Sequence, residues 1–289
     1  MKLARFLYRN HVRYGIVGPD GIVALDQCAG TFSNLLANSR TSVLESDICI
    51  PANEIVWLPP FTSEAKIICV GFNYASHDSE DHRRAGEYPT LFVRFPDSFV
   101  GSGNPVVTEA DSRTLDWEGE LALVIGQGGR RIPVDDAWNH IAGFTPMAEN
   151  SERIWQTHSA QATAGKNWFA SGACGPWVTT VDEAGRGPFE LTTRLNGHVV
   201  QQASTSSLLF NFASLVSYVS TFTPLRPGDV IATGTPAGSG YRQNPPRFLE
   251  PGDELEVSVP GVGTLRHSVT TGPGNIVTAN DISWQQSTR

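Results

Sequence analysis

Chemistry concentrates first in Leu115-Asp116-Trp117-Glu118-Gly119-Glu120-Leu121, where three acids in five residues run straight into an apolar stretch that ends at Ile125. On a strand, alternate side chains share a face, so Glu118 and Glu120 are expected to point the same way. Two carboxylates at that spacing repel each other unless a proton or a cation lies between them. A solvated strand edge is the ordinary home of such a pair. Here the acids abut a run that should be buried, which favours a metal.

Four further groups could take part. His77 and Glu80 lie three residues apart in a helix-compatible stretch and would share a face. They read either as a base with its orienting carboxylate or, beside Asp78, Asp81 and His82, as an incidental surface pair. Glu149, in Ala148-Glu149-Asn150-Ser151-Glu152-Arg153, stands where a strand meets a helix, and so could compensate a helix N-terminus or supply a further acid. Lys166, between Gly165 and Asn167, is a loop cation that either meets a substrate anion or is simply solvated. Thr233-Gly234-Thr235-Pro236-Ala237-Gly238 offers hydroxyls and backbone N–H groups in a Gly-opened turn, but lacks the Gly-Lys-Ser/Thr ending of a P-loop. The four cysteines are scattered without a C-x-x-C pair, which argues against a zinc site or a disulfide framework.

These groups need a scaffold, and the periodicity reads as strands. Residues 4–9, 12–17 and 22–25 are expected strands, with one helical turn or more at 33–37. Trp57-Leu58-Pro59-Pro60 then acts as a linker, because paired prolines stop helix and sheet alike. Residues 65–72 form a continuous apolar run, the mark of a buried strand. Strands are also expected at 90–93, 121–125, 141–145 and 177–180, and a helix at about 151–160. Asn196-Gly197 signals a hairpin between 190–195 and 198–202. Residues 208–218 carry the clearest amphipathic helix, and residues 238–246 read as a mobile loop. The expectation is a mixed α+β, β-rich protein with a small β-rich domain at 1–60 and a catalytic domain at 65–289.

The bulk composition narrows the partners. The chain has 289 residues, 40% hydrophobic and 17% charged, which suits a folded protein rather than a disordered one. A net charge of −8 argues against nucleic acid or an anionic membrane surface as partner. The start, Met1-Lys2-Leu3-Ala4-Arg5, lacks the apolar core of a signal peptide, so a cytoplasmic location is expected.

The order of the segments is more specific than any one of them. Ile67-Ile68-Cys69-Val70-Gly71-Phe72-Asn73-Tyr74-x-x-His77-x-x-Glu80, Leu91-Phe92-Val93-Arg94-Phe95-Pro96-Asp97-Ser98 and Asp116-Trp117-Glu118-Gly119-Glu120-Leu121 resemble the fumarylacetoacetate hydrolase family. So do Ala142-Gly143-Phe144-Thr145, Gly165-Lys166, Asn196-Gly197-x-x-x-Gln201 and the stretch from Pro227 through Thr233-Gly234-Thr235-Pro236 to Gly238. The resemblance covers about residue 65 to the C-terminus. It implies a fold of mixed β-sandwich or β-roll type, usually a homodimer, and a Mg²⁺ or Mn²⁺ ion held by Glu118, Glu120 and, about thirty residues on, Glu149. It implies that His77 and Glu80 activate water or move protons and that Lys166 stabilises negative charge. Thr235, with Gly234, Arg94 and Gln201, would hold a small oxo-acid or diketone substrate.

The reaction so implied is hydrolytic cleavage of a C–C bond in an acylpyruvate-like or 1,3-diketone compound through an enolate held at the metal. Decarboxylation of a 3-oxo acid of the oxaloacetate type and keto–enol isomerisation pass through the same species, and a non-catalytic binding protein is a further alternative. Three positions depart from the family pattern. Glu149 stands where the third ligand is Asp, Phe169 where an Asp follows the lysine, and Arg94 where many members have Lys.

Overall fold

The structure is a computed structural model that describes residues 1–25, 32–38, 49–75, 86–109, 113–272 and 278. It is a strand-rich α+β fold. The N-terminal strands β1 (Lys2–Tyr8), β2 (His11–Gly18), β3 (Gly21–Ala24), β4 (Cys49–Ile50) and β5 (Val56–Trp57) are followed by β6 (Ile67–Gly71), β7 (Thr90–Arg94), β8 (Phe99–Gly101) and β9 (Val106–Thr108). The acidic stretch contributes β10 (Leu115–Asp116) and β11 (Gly119–Ile125); β12 (Ile141–Ala148), β13 (Ser151–Glu152), β14 (Gly172–Cys174) and β15 (Val178–Thr180) come next. The hairpin β16 (Glu190–Leu195) and β17 (His198–Ser204), then β18 (Val230–Ala232), β19 (Glu254–Val259) and β20 (Gly263–Thr271), complete the set.

A 13-stranded sheet has ten strands in the order β4-β3-β2-β1-β15-β12-β11-β18-β6-β7, with β5, β8 and β14 paired off this path, and a 5-stranded sheet runs in the order β17-β16-β19-β20-β9. β11 lies at the centre of the larger sheet, antiparallel to both β12 and β18, and every residue of β11 and β12 is buried. Burial on both faces is why this stretch reads as an uninterrupted apolar run. Leu121, Leu123 and Ile125 join one core cluster with Leu191, Leu255 and Val257 of the smaller sheet and with Leu215 and Val219 of the helix Phe212–Phe222. Ala122 and Val124 point the other way, into a second cluster with Leu3, Phe32, Phe61 and Met147. By the same alternation Glu120 faces that second side.

Local chemistry explains several boundaries. Asn196 and Gly197 take φ of 50° and 82°, the two positive values a tight hairpin turn requires. The Asn211 carboxamide caps the helix Phe212–Phe222 by accepting from Ser214 N–H at 3.0 Å. Three expectations change. The acidic stretch is broken at Trp117-Glu118, so Glu118 precedes β11 instead of lying within it. The helix expected at 151–160 begins with β13, which pairs with β10, and only Arg153–Gln156 is helical there. The loop at 238–246 is tied down: Asp116 accepts hydrogen bonds from Gly240 N–H at 2.7 Å and Tyr241 N–H at 3.2 Å.

Candidate active site

Strand register assembles the acids. Gly119 pairs with Ala148 across β11 and β12, and Glu149 N–H donates to Glu118 C=O at 2.8 Å. That pairing sets the residue after β12 against the residue before β11. Glu118, Glu120 and Glu149 each offer a carboxylate oxygen within 4.8 Å of the others, and all three side chains are buried. Between Glu118 and Glu120 a side chain would have to displace its neighbour. A Cβ on Gly119 would lie 1.9 Å from Thr193 Oγ1.

The Thr233-to-Pro236 segment, at the end of neighbouring β18, completes this wall. Gly234 N–H donates to Glu120 Oε2 at 2.8 Å, and Thr235 Oγ1 donates to Gly119 C=O at 2.9 Å. Gln201 reaches in from β17, accepting from Gly119 N–H at 2.9 Å and donating to Thr235 Oγ1 at 2.8 Å and Pro236 C=O at 2.9 Å. Gly234 has φ of +103° and packs where a Cβ would meet Asn73 Cβ at 2.9 Å, which requires glycine. Asn73 itself donates to Thr233 C=O at 2.8 Å, so the segment is held from both sides.

Three cationic side chains surround the acids. Lys166 Nζ donates to Glu118 Oε2 at 2.5 Å, to Glu149 Oε2, and to Glu149 C=O at 3.3 Å, with the Phe92 ring 4.7 Å away. Arg94 is buried beside Phe99, with its guanidinium 4.2 Å from the ring centroid. Its donors go to Glu149 Oε1 (3.1 Å), Asn150 C=O, Ser171 Oγ, and the hydroxyl and carbonyl of Ser98. Arg153 bridges Asp116 at 2.8 Å and Glu118 at 2.6 Å, under the Tyr241 ring. Sequence reasoning did not single out Arg153. Its only signal was a cation four residues after Glu149, and the β10–β13 pairing that carries it to the acids has no local signature.

Burial dominates the electrostatics. It pushes Glu120 well above the usual carboxylate range, reinforced by the charge of Glu149. It raises Glu149 to about 7, although Lys166 and Arg94 pull the other way. For Lys166 burial opposes the charge, but Glu118 and Glu149 more than offset it, so the amine stays protonated above its usual range. Cys174 is a packed thiol, pushed up by burial, with no character of a nucleophile.

The donor set fits a hard divalent cation. Asp116, Glu118, Glu120 and Glu149 face Arg94, Arg153 and Lys166, which leaves one acid in excess. Glu120 is that acid: it accepts from the Gly234 N–H, and no ion pair reaches it among the described residues. A buried carboxylate without a counter-charge is costly, and an all-oxygen set suits Mg²⁺ or Mn²⁺. Glu118, Glu120, Glu149, Lys166, Arg94, Gln201, Gly234 and Thr235 thus come together. His77 and Glu80 lie outside the described residues. Phe169 packs half-buried against the larger core cluster.

Comparison with known proteins places the chain in a family. Residues 66–270 match the model of the fumarylacetoacetate (FAA) hydrolase C-terminal family. The chain is 38% identical over 223 residues to oxaloacetate tautomerase FAHD2A, mitochondrial, of Homo sapiens, an alignment covering 76% of this chain and 71% of that protein. Its fold is similar to the fumarylacetoacetate hydrolase of Exiguobacterium antarcticum, with a TM-score of 0.81 and 31% identity over 94% of this chain and 100% of that one. It is also similar to a 5-carboxymethyl-2-hydroxymuconate delta-isomerase from Mycobacterium smegmatis, with a TM-score of 0.79 and 30% identity over 94% and 100%. By its sequence match, its fold and its buried acidic triad, the chain belongs to the fumarylacetoacetate hydrolase family.

Proposed function

We propose that the protein is an enzyme that interconverts the keto and enol forms of a small 2-oxo acid. The observation that carries this reading is a protonated amine, Lys166 Nζ, held in a buried cluster of carboxylates. Enolisation builds negative charge on one oxygen, and a fixed buried ammonium stabilises that charge far better than water does. The similarity to oxaloacetate tautomerase FAHD2A supports the same choice.

Glu118, Glu120 and Glu149 would hold the Mg²⁺ or Mn²⁺ ion. When bound, the ion supplies Lewis-acid polarisation of the adjacent oxygens of a 2-oxo acid. Lys166 Nζ, held on Glu118 and Glu149, would keep its proton and act on those oxygens through charge. Arg94 fixes Glu149 and Arg153 fixes Glu118, so neither carboxylate is free to turn away. Gly234 and Thr235, locked through Gln201, shape the wall against which the substrate lies. In this proposal His77, with Glu80, takes the proton from the substrate C3 and passes it to water, and water supplies the proton that the enolate oxygen takes up to give the enol. A homodimer in the cytoplasm is part of the same proposal.

The test follows enol–keto conversion of oxaloacetate by ultraviolet absorbance with Mg²⁺ present. Acceleration over buffer is expected, lost in Lys166→Met. No acceleration by protein that binds Mn²⁺ in calorimetry would falsify the reading. Hydrolytic C–C cleavage of an acylpyruvate is the second reading, favoured by the similarity to the Exiguobacterium fumarylacetoacetate hydrolase. Reaction in H₂¹⁸O separates the two, since only hydrolysis puts label into a released acid. Pyruvate release from oxaloacetate would mark decarboxylation instead.

A further inference from the structure

Lys166 reaches Glu118 and Glu149 at the end of a four-carbon stem, so the place of its ammonium depends on how its backbone is held. The neighbouring residue does the holding. The Asn167 carboxamide accepts from Phe95 N–H at 2.6 Å and donates to Val93 C=O at 3.2 Å and to Thr163 C=O at 3.0 Å. Val93 and Phe95 flank Arg94, and β7 is the terminal strand of the larger sheet. An edge strand presents N–H and C=O groups that a further strand would take. Here Asn167 takes one of each. A donor at Phe95 and acceptors at Val93 and Thr163 allow only one orientation of the amide.

The consequence reaches the acids. Phe92 and Arg94 share the inner face of β7, the first beside Lys166 Nζ and the second on Glu149 Oε1. Glu149 therefore sits between two cations, one carried by β7 itself and the other by the residue before Asn167. Asn167 is the side chain that ties the second backbone to the first.

We propose that Asn167 is a positioning residue for Lys166, pairing with the edge of β7 in place of a strand and so setting the ammonium in register with Arg94 across Glu149. The inference rests on the role of Lys166 in the proposed reaction. Asn167→Ala removes all three bonds. Asn167→Asp keeps the shape and the acceptor for Phe95 N–H but loses both donors.

Each variant is compared with wild type in three measurements. These are thermal unfolding, kcat and KM for oxaloacetate with Mg²⁺, and modification of Lys166 by an amine-selective reagent, quantified by peptide mass spectrometry. In both variants kcat should fall about tenfold to a hundredfold with KM within about threefold, because misplacing a catalytic group by about 1 Å costs up to about a hundredfold. Lys166 labelling should rise about tenfold or more as its anchor opens. A folded variant that keeps kcat and the protection of Lys166 within about twofold overturns the proposal. So does a fall in kcat without the rise in labelling. If Asn167→Ala does not fold, the isosteric Asn167→Asp decides by the same readings. If wild type is inactive on oxaloacetate, labelling alone still decides the role of Asn167, and the failure falls on the proposed reaction.

Discussion

Arg94→Met is the sharpest probe of how the acids are balanced. The side chain is fully buried, so methionine can fill most of its volume while removing its charge and its hydrogen bonds to Glu149, Asn150, Ser98 and Ser171. Breaking a buried ion pair from one side costs about 3–5 kcal/mol, because the remaining charge is stranded. The loss should depend on pH. Burial already raises Glu149 from 4.5 to about 7, and removing Arg94 raises it further. A carboxyl group with a raised folded-state pKa contributes stability that is fully present below its unfolded value and lost as pH rises through the folded one. The variant should therefore be worst relative to wild type at about pH 8, where Glu149 must either ionise with Lys166 as its one remaining cation or hold its proton against the pH. At about pH 5.5 it is protonated, and the deficit should shrink to the lost hydrogen bonds, about 1–2 kcal/mol. Urea denaturation of metal-free wild type and variant at both pH values measures this. An equal deficit at the two values, or one below about 1 kcal/mol at pH 8, would refute the reasoning.

Three other outcomes are expected. His267 is buried on β20 with neither ring nitrogen bonded, and burial pushes its pKa down from 6.5 to about 4. The unfolded chain takes up that proton first, so stability is lost as pH falls through this window, by about 3 kcal/mol in all. In His267→Leu the corresponding slope of Tm against pH should flatten; an unchanged slope assigns it elsewhere. Gly119→Ala drives a Cβ into Thr193 Oγ1 and should cost about 1–3 kcal/mol by thermal denaturation, partly recovered in the double variant with Thr193→Ala. Glu120→Gln removes the acid that lacks a cationic partner, and Mn²⁺ affinity by calorimetry should drop at least about tenfold. An unaltered affinity would place the ion elsewhere.

Local signals carried much of the fold. The apolar run at 65–72, the Asn196-Gly197 hairpin and the amphipathic helix all reappear, the helix shifted to Phe212–Phe222 because Asn211 caps it. The paired glutamates and Glu149 were legible as acids, and their convergence was expected from a family resemblance. Spacing alone could not give it, since it depends on the pairing of Gly119 with Ala148. What stayed hidden was non-local. Arg153 reaches Glu118 because a strand of two residues at Ser151 pairs with Leu115 and Asp116, a ladder too short to leave a period. Arg94, expected at the substrate, gives hydrogen bonds to Glu149, Asn150, Ser98 and Ser171, partners brought together from distant segments. Asn167 bonds to a sheet edge more than 70 positions away in sequence.

The parallel pairing of β6 with β18 has a consequence for how the chain is made. Val230 lies opposite Ile67, and Asp229 accepts from Lys66 N–H at a separation of 163 residues. Closing so long a loop is entropically slow, and such pairings belong to late steps of folding. During synthesis β6 and β7 must wait for most of the chain before their neighbour exists. Until then one side of β6, with Ile67 and Cys69 destined for the core, has no partner strand. Refolding should accordingly be slow and sensitive to protein concentration, with the Thr233-to-Pro236 wall meeting the acids only when β18 arrives.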